Sequence, residues 1–110
     1  MYTCDYLRQE PTRTEVDALG GKVLLEFGAP WCGHCIAAQP LLQAALAAGD
    51  IRHLKIEDGR GLPLGRSFGV KLWPTLVFLC DGRELARLVR PTGLAELDHA
   101  VAVLAAADRG

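Results

Sequence analysis

Two cysteines separated by two residues, Cys32 and Cys35, are the part of this sequence best suited to chemistry. They follow a short hydrophobic run and precede a stretch rich in alanine and leucine, so we expect them at the junction of a buried strand and a helix. The first turn of a helix presents free N–H groups and the positive end of the helix dipole. That setting favours a thiolate at Cys32, while Cys35 lies one turn further along. The pattern predicts disulfide exchange in which Cys32 attacks and Cys35 resolves the mixed disulfide.

The same pair of cysteines is also half of a typical structural zinc site, which would need two further ligands. The remaining candidates are Cys4, Cys80, His53 and His99. None of them repeats the close spacing of the pair. Haem attachment would require a histidine directly after Cys35, where Ile36 stands. The strand–helix setting therefore favours redox chemistry over zinc, and we expect no metal and no cofactor.

The elements that would position the two cysteines follow from the local patterns around them. Residues 22–27 form a short apolar run typical of a strand buried on both faces. Residues 33–48 are rich in alanine, leucine and glutamine, which predicts a helix with Pro40 inside it. Upstream, Thr12 and Glu15 have the spacing of a capping box at the start of a short helix.

The rest of the chain continues the alternation of strands and helices and then changes to a hairpin. The predicted elements are a strand at 51–56, a short helix at 64–68, strands at 75–80 and 84–89 joined by Asp81-Gly82, and a last helix after 91–93. The order α-β-α-β-α-β-β-α predicts an α/β fold in which parallel strands are followed by an antiparallel hairpin at one edge. Residues 1–8 carry a weak signal for one more edge strand.

The overall composition narrows the classes of function. The chain has 110 residues and a formal net charge of -1, with 23% charged and 50% hydrophobic residues, which suits one globular domain over residues 1–110. This charge balance disfavours nucleic acid as a partner. No apolar run is long enough for a secretory signal or a membrane span, so we expect a soluble, cytoplasmic monomer with no membrane partner. Cys4 and Cys80 stand apart from the pair, and we interpret them as structural or incidental thiols.

A wider set of motifs supports the redox interpretation. Residues 27–35 read Phe-Gly-Ala-Pro-Trp-Cys-Gly-His-Cys, and Pro40 follows five residues later. With Trp73-Pro74-Thr75 and the hairpin at 78–84, this order resembles the thioredoxin family over roughly residues 12–107. The resemblance implies a thioredoxin fold, a central mixed β-sheet flanked by helices, which agrees with the elements predicted from the local patterns.

Glu26 interrupts an otherwise apolar strand. One interpretation places it at a sheet edge, where the carboxylate reaches water, as most glutamates do. The other is a buried acid that takes the proton from Cys35 during resolution. The resemblance favours the buried acid, because thioredoxin-like proteins carry Asp or Glu at this position. It also implies that Lys55 lies where the family often keeps a partner lysine for the acid.

His34 bears on the direction of the chemistry. Reducing thioredoxins usually have proline there, whereas Gly-His between the cysteines resembles protein disulfide isomerase. A cationic imidazole beside the Cys32 thiolate would stabilise the reduced form and make the disulfide a stronger oxidant. We therefore expect a reduction potential between roughly -270 and -180 mV. The alternative is an exposed helix residue with little influence on the dithiol.

The resemblance also implies a substrate surface around the dithiol, formed by Trp31, Gly33, Trp73 and Pro74. Pro74 is expected to be cis and to face the dithiol, and the backbone of Trp73 is expected to pair with an extended substrate strand. The Trp73 indole, which replaces a more common aliphatic residue, either enlarges this contact or is simply packed. Gly28 stands where the family usually carries a tryptophan.

Arg90 and Pro91 replace the glycine that commonly completes the substrate groove in this family. Three roles are compatible with an arginine at residue 90: binding of acidic substrates, stabilisation of the Cys32 thiolate, or a side chain that points into solvent.

The leading hypothesis is a cytoplasmic dithiol oxidoreductase that reduces or exchanges disulfides in protein substrates, with thioredoxin reductase or glutathione as the electron donor. A second is a dedicated oxidant or isomerase for one client, suggested by His34. A third, of a different class, is a thioredoxin-fold binding module with a vestigial dithiol. The presence of Cys32, Cys35 and Glu26 argues against that loss of function.

Overall fold

A mixed β-sheet in the order β2-β1-β3-β4 forms the centre of the molecule. The computed structural model describes residues 1–47 and 49–109, in which the predicted order of helices and strands is confirmed. The elements are α1 (Arg13–Asp17), β1 (Lys22–Gly28), α2 (Gly33–Leu46), β2 (Arg52–Glu57), α3 (Pro63–Ser67), β3 (Thr75–Cys80), β4 (Arg83–Val89) and α4 (Leu94–Arg109). Ala48 and Gly110, the predicted ends of the second helix and of the domain, lie outside the described residues.

Strand β1 lies in the interior of the sheet, parallel to β2 and antiparallel to β3. Its side chains alternate between two separate cores. Leu24 faces α2 and α4, and packs in a cluster with Leu42 and Leu97. Leu25 and Phe27 belong to the cluster on the opposite face of the sheet. The apolar run of β1 is continuous because both of its faces are covered, as the sequence predicted.

Local sequence signals set several of the boundaries. Thr12 accepts a hydrogen bond from the Glu15 amide and the Glu15 carboxylate accepts one from the Thr12 amide, so the predicted capping box is confirmed. The predicted hairpin between β3 and β4 is also present. Asp81 and Gly82 have φ values of 50° and 80°, which suit the tight turn of a two-residue hairpin. A Cβ atom on Gly82 would lie 2.1 Å from the Asp17 carbonyl oxygen, so this turn has no space for a larger residue.

The weak strand signal in the first eight residues was wrong. Residues 1–8 form no strand, although they follow the outer edge of β2. The Leu7 amide bonds to the Lys55 carbonyl, but the Thr3 amide donates to the His53 side chain and not to the β2 backbone. A ladder needs repeated backbone pairing, and this segment instead supplies its polar groups to side chains of the sheet. In the described part of the chain, no helix has the length and apolar character needed to cross a membrane.

Candidate active site

The two cysteines lie at the junction of β1 and α2, as predicted. Cys32 is the N-cap residue of α2, and its sulfur accepts a hydrogen bond from the Cys35 amide at 3.2 Å. That bond, together with the helix N-terminus, stabilises negative charge on the Cys32 sulfur. Cys32 is 7% exposed and Cys35 only 1%. Cys32 is therefore the outer thiol, and Cys35 lies behind it.

The Cys35 thiol ionises less readily than an ordinary cysteine. Burial, followed by its hydrogen bond with Cys32, raises the pKa of the Cys35 thiol to about 12. The thiol is thus protonated at neutral pH and is a poor nucleophile until a base removes its proton. That Cys35 acts second, as the resolving thiol, stays a prediction.

Glu26 is fully buried, so the interpretation as a solvated edge residue was wrong. β1 is an interior strand, and its Glu26 side chain points toward α2. The two carboxylate oxygens have different partners. Oε1 lies 2.8 Å from His53 Nε2, and Oε2 accepts a hydrogen bond from Gln39 Nε2 at 2.8 Å. These two hydrogen bonds satisfy polar oxygens whose burial in the core would otherwise be costly.

The hydrogen bonds around His53 identify its tautomer. The Thr3 amide donates to Nδ1 at 3.0 Å, so Nδ1 acts as an acceptor. In the neutral ring the hydrogen is then on Nε2, which donates it to Glu26. The His53 imidazole is held between the N-terminal segment and the buried acid, with its side chain wholly inaccessible to solvent.

Gln39 connects the acid to the dithiol. Its Nε2 donates to Glu26 and also to the Cys35 carbonyl at 2.8 Å. Its Oε1 accepts hydrogen bonds from Tyr2 Oη at 2.8 Å and from Lys55 Nζ at 2.9 Å. Lys55 therefore connects to Glu26 through Gln39, because the contacts of its Nζ are with Gln39 Oε1 and the Cys4 carbonyl and not with the carboxylate. A catalytic role for Lys55 stays a prediction.

On the other side of the dithiol lie the two tryptophans and the proline. The Trp73–Pro74 peptide bond is cis, as the resemblance implied. The Trp73 carbonyl oxygen lies 4.0 Å from Cys32 Sγ. The Trp31 ring is 74% exposed and meets the Trp73 ring edge-on at a centroid distance of 5.5 Å. Trp73 is also anchored, since its indole N–H donates to Asp58 at 2.9 Å. Its side chain is thus packed, and it also borders the surface next to Cys32.

Residues 5–103 match the family model described as thioredoxin. The chain belongs to the thioredoxin family. It is 52% identical to thioredoxin 2 from Pseudomonas aeruginosa PAO1 in its reduced form, with a TM-score of 0.82, over 92% of this chain and 95% of that one. It is 34% identical to a thioredoxin of Mycobacterium tuberculosis strain H37Rv, over 76% of this chain and 74% of the relative.

Protein disulfide-isomerases are also similar to this chain. The isomerase of Gallus gallus is 38% identical over 69 residues, which are 58% of this chain. The chain spans only 13% of the length of that relative, so the likeness concerns a small part of a longer protein. Membership of the thioredoxin family, together with the Cys32–Cys35 pair, makes the present domain a thiol–disulfide oxidoreductase. The alternative of a binding module with a vestigial dithiol is not favoured.

The thioredoxin-like site contains two residues that the sequence had not assigned to it. His53 was weighed only as a zinc ligand, and Gln39 was not considered. A signal for His53 was present, because it lies two residues before Lys55 and so shares a face of β2 with it. Among the described residues no group of three or more His, Cys, Asp or Glu side chains could hold a metal ion.

The departure from the family at Gly28 has a steric reason. A Cβ atom on Gly28 would lie 2.6 Å from Cys35 Sγ and 3.5 Å from Tyr6 Oη. Such a close approach to sulfur requires either atom to move. The absence of a side chain at residue 28 therefore allows the Cys35 thiol to pack directly on the strand backbone.

We predict that Gly28→Ala lowers the free energy of unfolding of the reduced protein by about 1–3 kcal/mol, the usual effect of overpacking a core site. Gly33→Ala is the matched control, because a Cβ atom there would meet nothing within 4 Å. Urea-induced unfolding of both variants in reducing buffer measures the difference. Equal stability of the two variants would show that Cys35 moves aside without cost.

Proposed function

We propose that this domain reduces or exchanges disulfides in protein substrates, with Cys32 as the attacking thiol and Cys35 as the resolving thiol. The observation that carries the proposal is the arrangement of the two sulfurs at the start of α2. The outer sulfur accepts an amide hydrogen bond, whereas the inner thiol is buried and keeps its proton at neutral pH. In this proposal Cys32 attacks first, and Cys35 reacts only after it has lost its proton.

In the proposed reaction the Cys32 thiolate attacks one sulfur of a substrate disulfide. The substrate S–S bond breaks, a mixed disulfide forms at Cys32, and the second substrate sulfur leaves as a thiolate. Cys35 then loses its proton and attacks the Cys32 sulfur, which releases the first substrate sulfur and leaves a Cys32–Cys35 disulfide. Two electrons pass from the dithiol to the substrate, and the reverse sequence oxidises a substrate dithiol.

We assign to Glu26 the role of proton acceptor for Cys35. The carboxylate is shielded from water and belongs to the same polar cluster as the Cys35 carbonyl, through their shared partner Gln39. Transfer of the proton to a buried carboxylate suits a step that itself takes place out of water. His53 holds one carboxylate oxygen as a positioning residue, and Lys55 contributes through Gln39.

The substrate surface in this proposal consists of Trp31, Gly33, Trp73 and Pro74. Trp31 offers an exposed apolar face, and Gly33 is exposed at the start of α2. An extended substrate segment would pair with the backbone of Trp73, next to the attacking sulfur. His34 is exposed on α2, and its imidazolium would favour the reduced dithiol, which moves the potential toward the oxidising end of the range given above.

The setting of the reaction is also part of the proposal. We propose a monomer that acts in the cytoplasm, where thiols stay reduced, with thioredoxin reductase or glutathione as the electron donor. The cysteines outside the dithiol are consistent with such a compartment, because Cys80 is buried in β3, where it packs as a small apolar residue, and Cys4 is exposed.

The test is reduction of insulin disulfides by dithiothreitol, followed as turbidity, with the wild-type protein beside Cys32→Ser. We expect strong acceleration by the wild type and none by the variant, because the attacking sulfur is gone. Cys4→Ser is the matched control, since it removes an exposed thiol outside the dithiol and should retain activity. Activity in neither the wild type nor the control would instead favour a binding module or a single restricted client.

A further inference from the structure

Arg90 occupies an unusual place directly after β4. Its φ of 50° lies in the left-handed region, which favours glycine. Arg90 makes two hydrogen bonds to the backbone of Trp73 and Pro74, which belong to the proposed substrate surface. Its backbone amide donates to the Pro74 carbonyl at 3.0 Å, and its side-chain Nε donates to the Trp73 carbonyl at 2.8 Å. Arg90 is exposed, as one of the interpretations expected, but its side chain is fixed to the backbone of Trp73.

The position of the guanidinium relative to the attacking sulfur follows from a shared atom. The Trp73 oxygen that accepts the Arg90 hydrogen bond also lies 4.0 Å from Cys32 Sγ. The distance from Arg90 Nε to Cys32 Sγ therefore cannot exceed the sum of their two distances to the Trp73 oxygen. A substrate whose disulfide reaches Cys32 must bring its neighbouring residues within range of this fixed positive charge.

Most of the hydrogen-bonding capacity of Arg90 remains available. A guanidinium has five N–H donors, and the single side-chain contact found among the described residues uses Nε. No carboxylate of the described residues lies within salt-bridge distance of it. Glu96, in the first turn of α4, uses its Oε1 to accept hydrogen bonds from Thr92 and Gly93 and forms no salt bridge with Arg90. The bond through Nε thus orients the terminal nitrogens without occupying them.

A groove of about 370 Å³ is bordered by Arg90 and by His34, which lies between the two cysteines in the sequence. It is lined by His34, Ala37, Leu41, Arg90, Pro91 and Thr92. The apolar members would contact the methylene groups of a side chain, while the Arg90 guanidinium would face its charged end. The groove therefore combines a short apolar wall with the permanent positive charge of Arg90.

We propose that this groove is a subsite for an acidic side chain, so that the domain prefers protein disulfides in which an Asp or Glu flanks the reactive cysteine. The proposal rests on the function proposed above and names its substrate class. A carboxylate bound by the terminal nitrogens of Arg90 forms paired, charge-assisted hydrogen bonds. It does so while Nε keeps its contact with Trp73, so the subsite is preorganised before the substrate arrives.

The experiment compares two disulfide-containing peptides that are identical except for Glu or Gln next to the reactive cysteine. For the wild type at low salt we expect kcat/KM to be roughly tenfold higher for the Glu peptide, as one charge-assisted contact provides. The preference should shrink in high salt, because the groove is open to solvent. Arg90→Gly and Arg90→Gln should bring the ratio close to one, whereas Arg90→Lys should keep part of it.

Two features keep the outcome interpretable. Glycine suits the backbone conformation at residue 90, so Arg90→Gly is expected to fold. Arg83→Gln removes the same charge at the far end of β4 and should retain the preference. Equal rates for both peptides with the wild type, or a preference that survives in Arg90→Gly, would overturn the subsite. Turnover of neither peptide by the wild type would instead overturn the proposed function.

Discussion

Cys35→Ser is expected to attack substrate disulfides normally and then to stall as a covalent adduct. The Cys32 sulfur keeps its exposed fraction, its helix N-terminus and the amide hydrogen bond from residue 35, so the first step needs nothing from the second thiol. Without that thiol, however, no internal nucleophile can release the substrate. With the proteins reduced beforehand and no dithiothreitol present, we expect release of reduced insulin chains to be about 1000-fold slower or more, with the variant accumulating as a mixed disulfide.

Mass spectrometry after mixing Cys35→Ser with oxidised substrate would detect this adduct as the summed mass of the two chains. Cys32→Ser serves as its control and should form none, because Cys35 is buried and its pKa is raised. Adduct formation through Cys35 in that control, or near-normal turnover by Cys35→Ser, would contradict the proposed order of attack.

Glu26→Gln should have the second largest effect, of about 100-fold on turnover, and the effect should fall on the resolving step. Glutamine cannot accept the proton of Cys35, whose thiol is un-ionised at neutral pH because burial raises its pKa. Formation of the mixed disulfide should keep its rate, since the Cys32 sulfur has no contact with the acid among its hydrogen bonds. Rapid-quench sampling with acid and thiol alkylation separates the two steps.

Three controls distinguish loss of the acid from general damage to the core. Glu26→Asp retains a carboxyl group and should recover part of the rate. Lys55→Met should have a smaller effect than Glu26→Gln, because Lys55 contacts the acid only through Gln39. Iodoacetamide should modify Cys32 at similar rates in all of these proteins. An unchanged resolving rate in Glu26→Gln would remove this residue from the mechanism.

The fold was predictable where its signals are local. The capping box, the apolar run of β1 and the Asp81-Gly82 turn each act over a few residues, and each appears in the structure where the sequence predicted it. The first eight residues were not predictable in this way. Their amides and side chains bond to His53, Gln39 and the edge of β2, which are distant in the chain, and this pairing leaves no strand.

The site, like the fold, has features that the sequence predicted and contacts that it did not. The sequence singled out Glu26 as an anomaly, but the parallel register that opposes it to Lys55 and Leu24 to His53 exists only once β1 and β2 pair. That register brings the imidazole, and not the lysine, into direct contact with the carboxylate. The resemblance to the thioredoxin family pointed to Lys55 as the partner of the acid, whereas His53 had been considered only as a zinc ligand.

The sequence by itself determined the dithiol, its place between a buried strand and a helix, and the histidine between its cysteines, because all of these depend on neighbours within one turn of helix. Only the tertiary structure decided what surrounds the dithiol. Glu26 meets His53 across 27 positions of the chain, and Arg90 meets the Trp73 carbonyl across 17. Such contacts depend on strand register and side-chain reach, which are set when the sheet assembles and the helices pack on it.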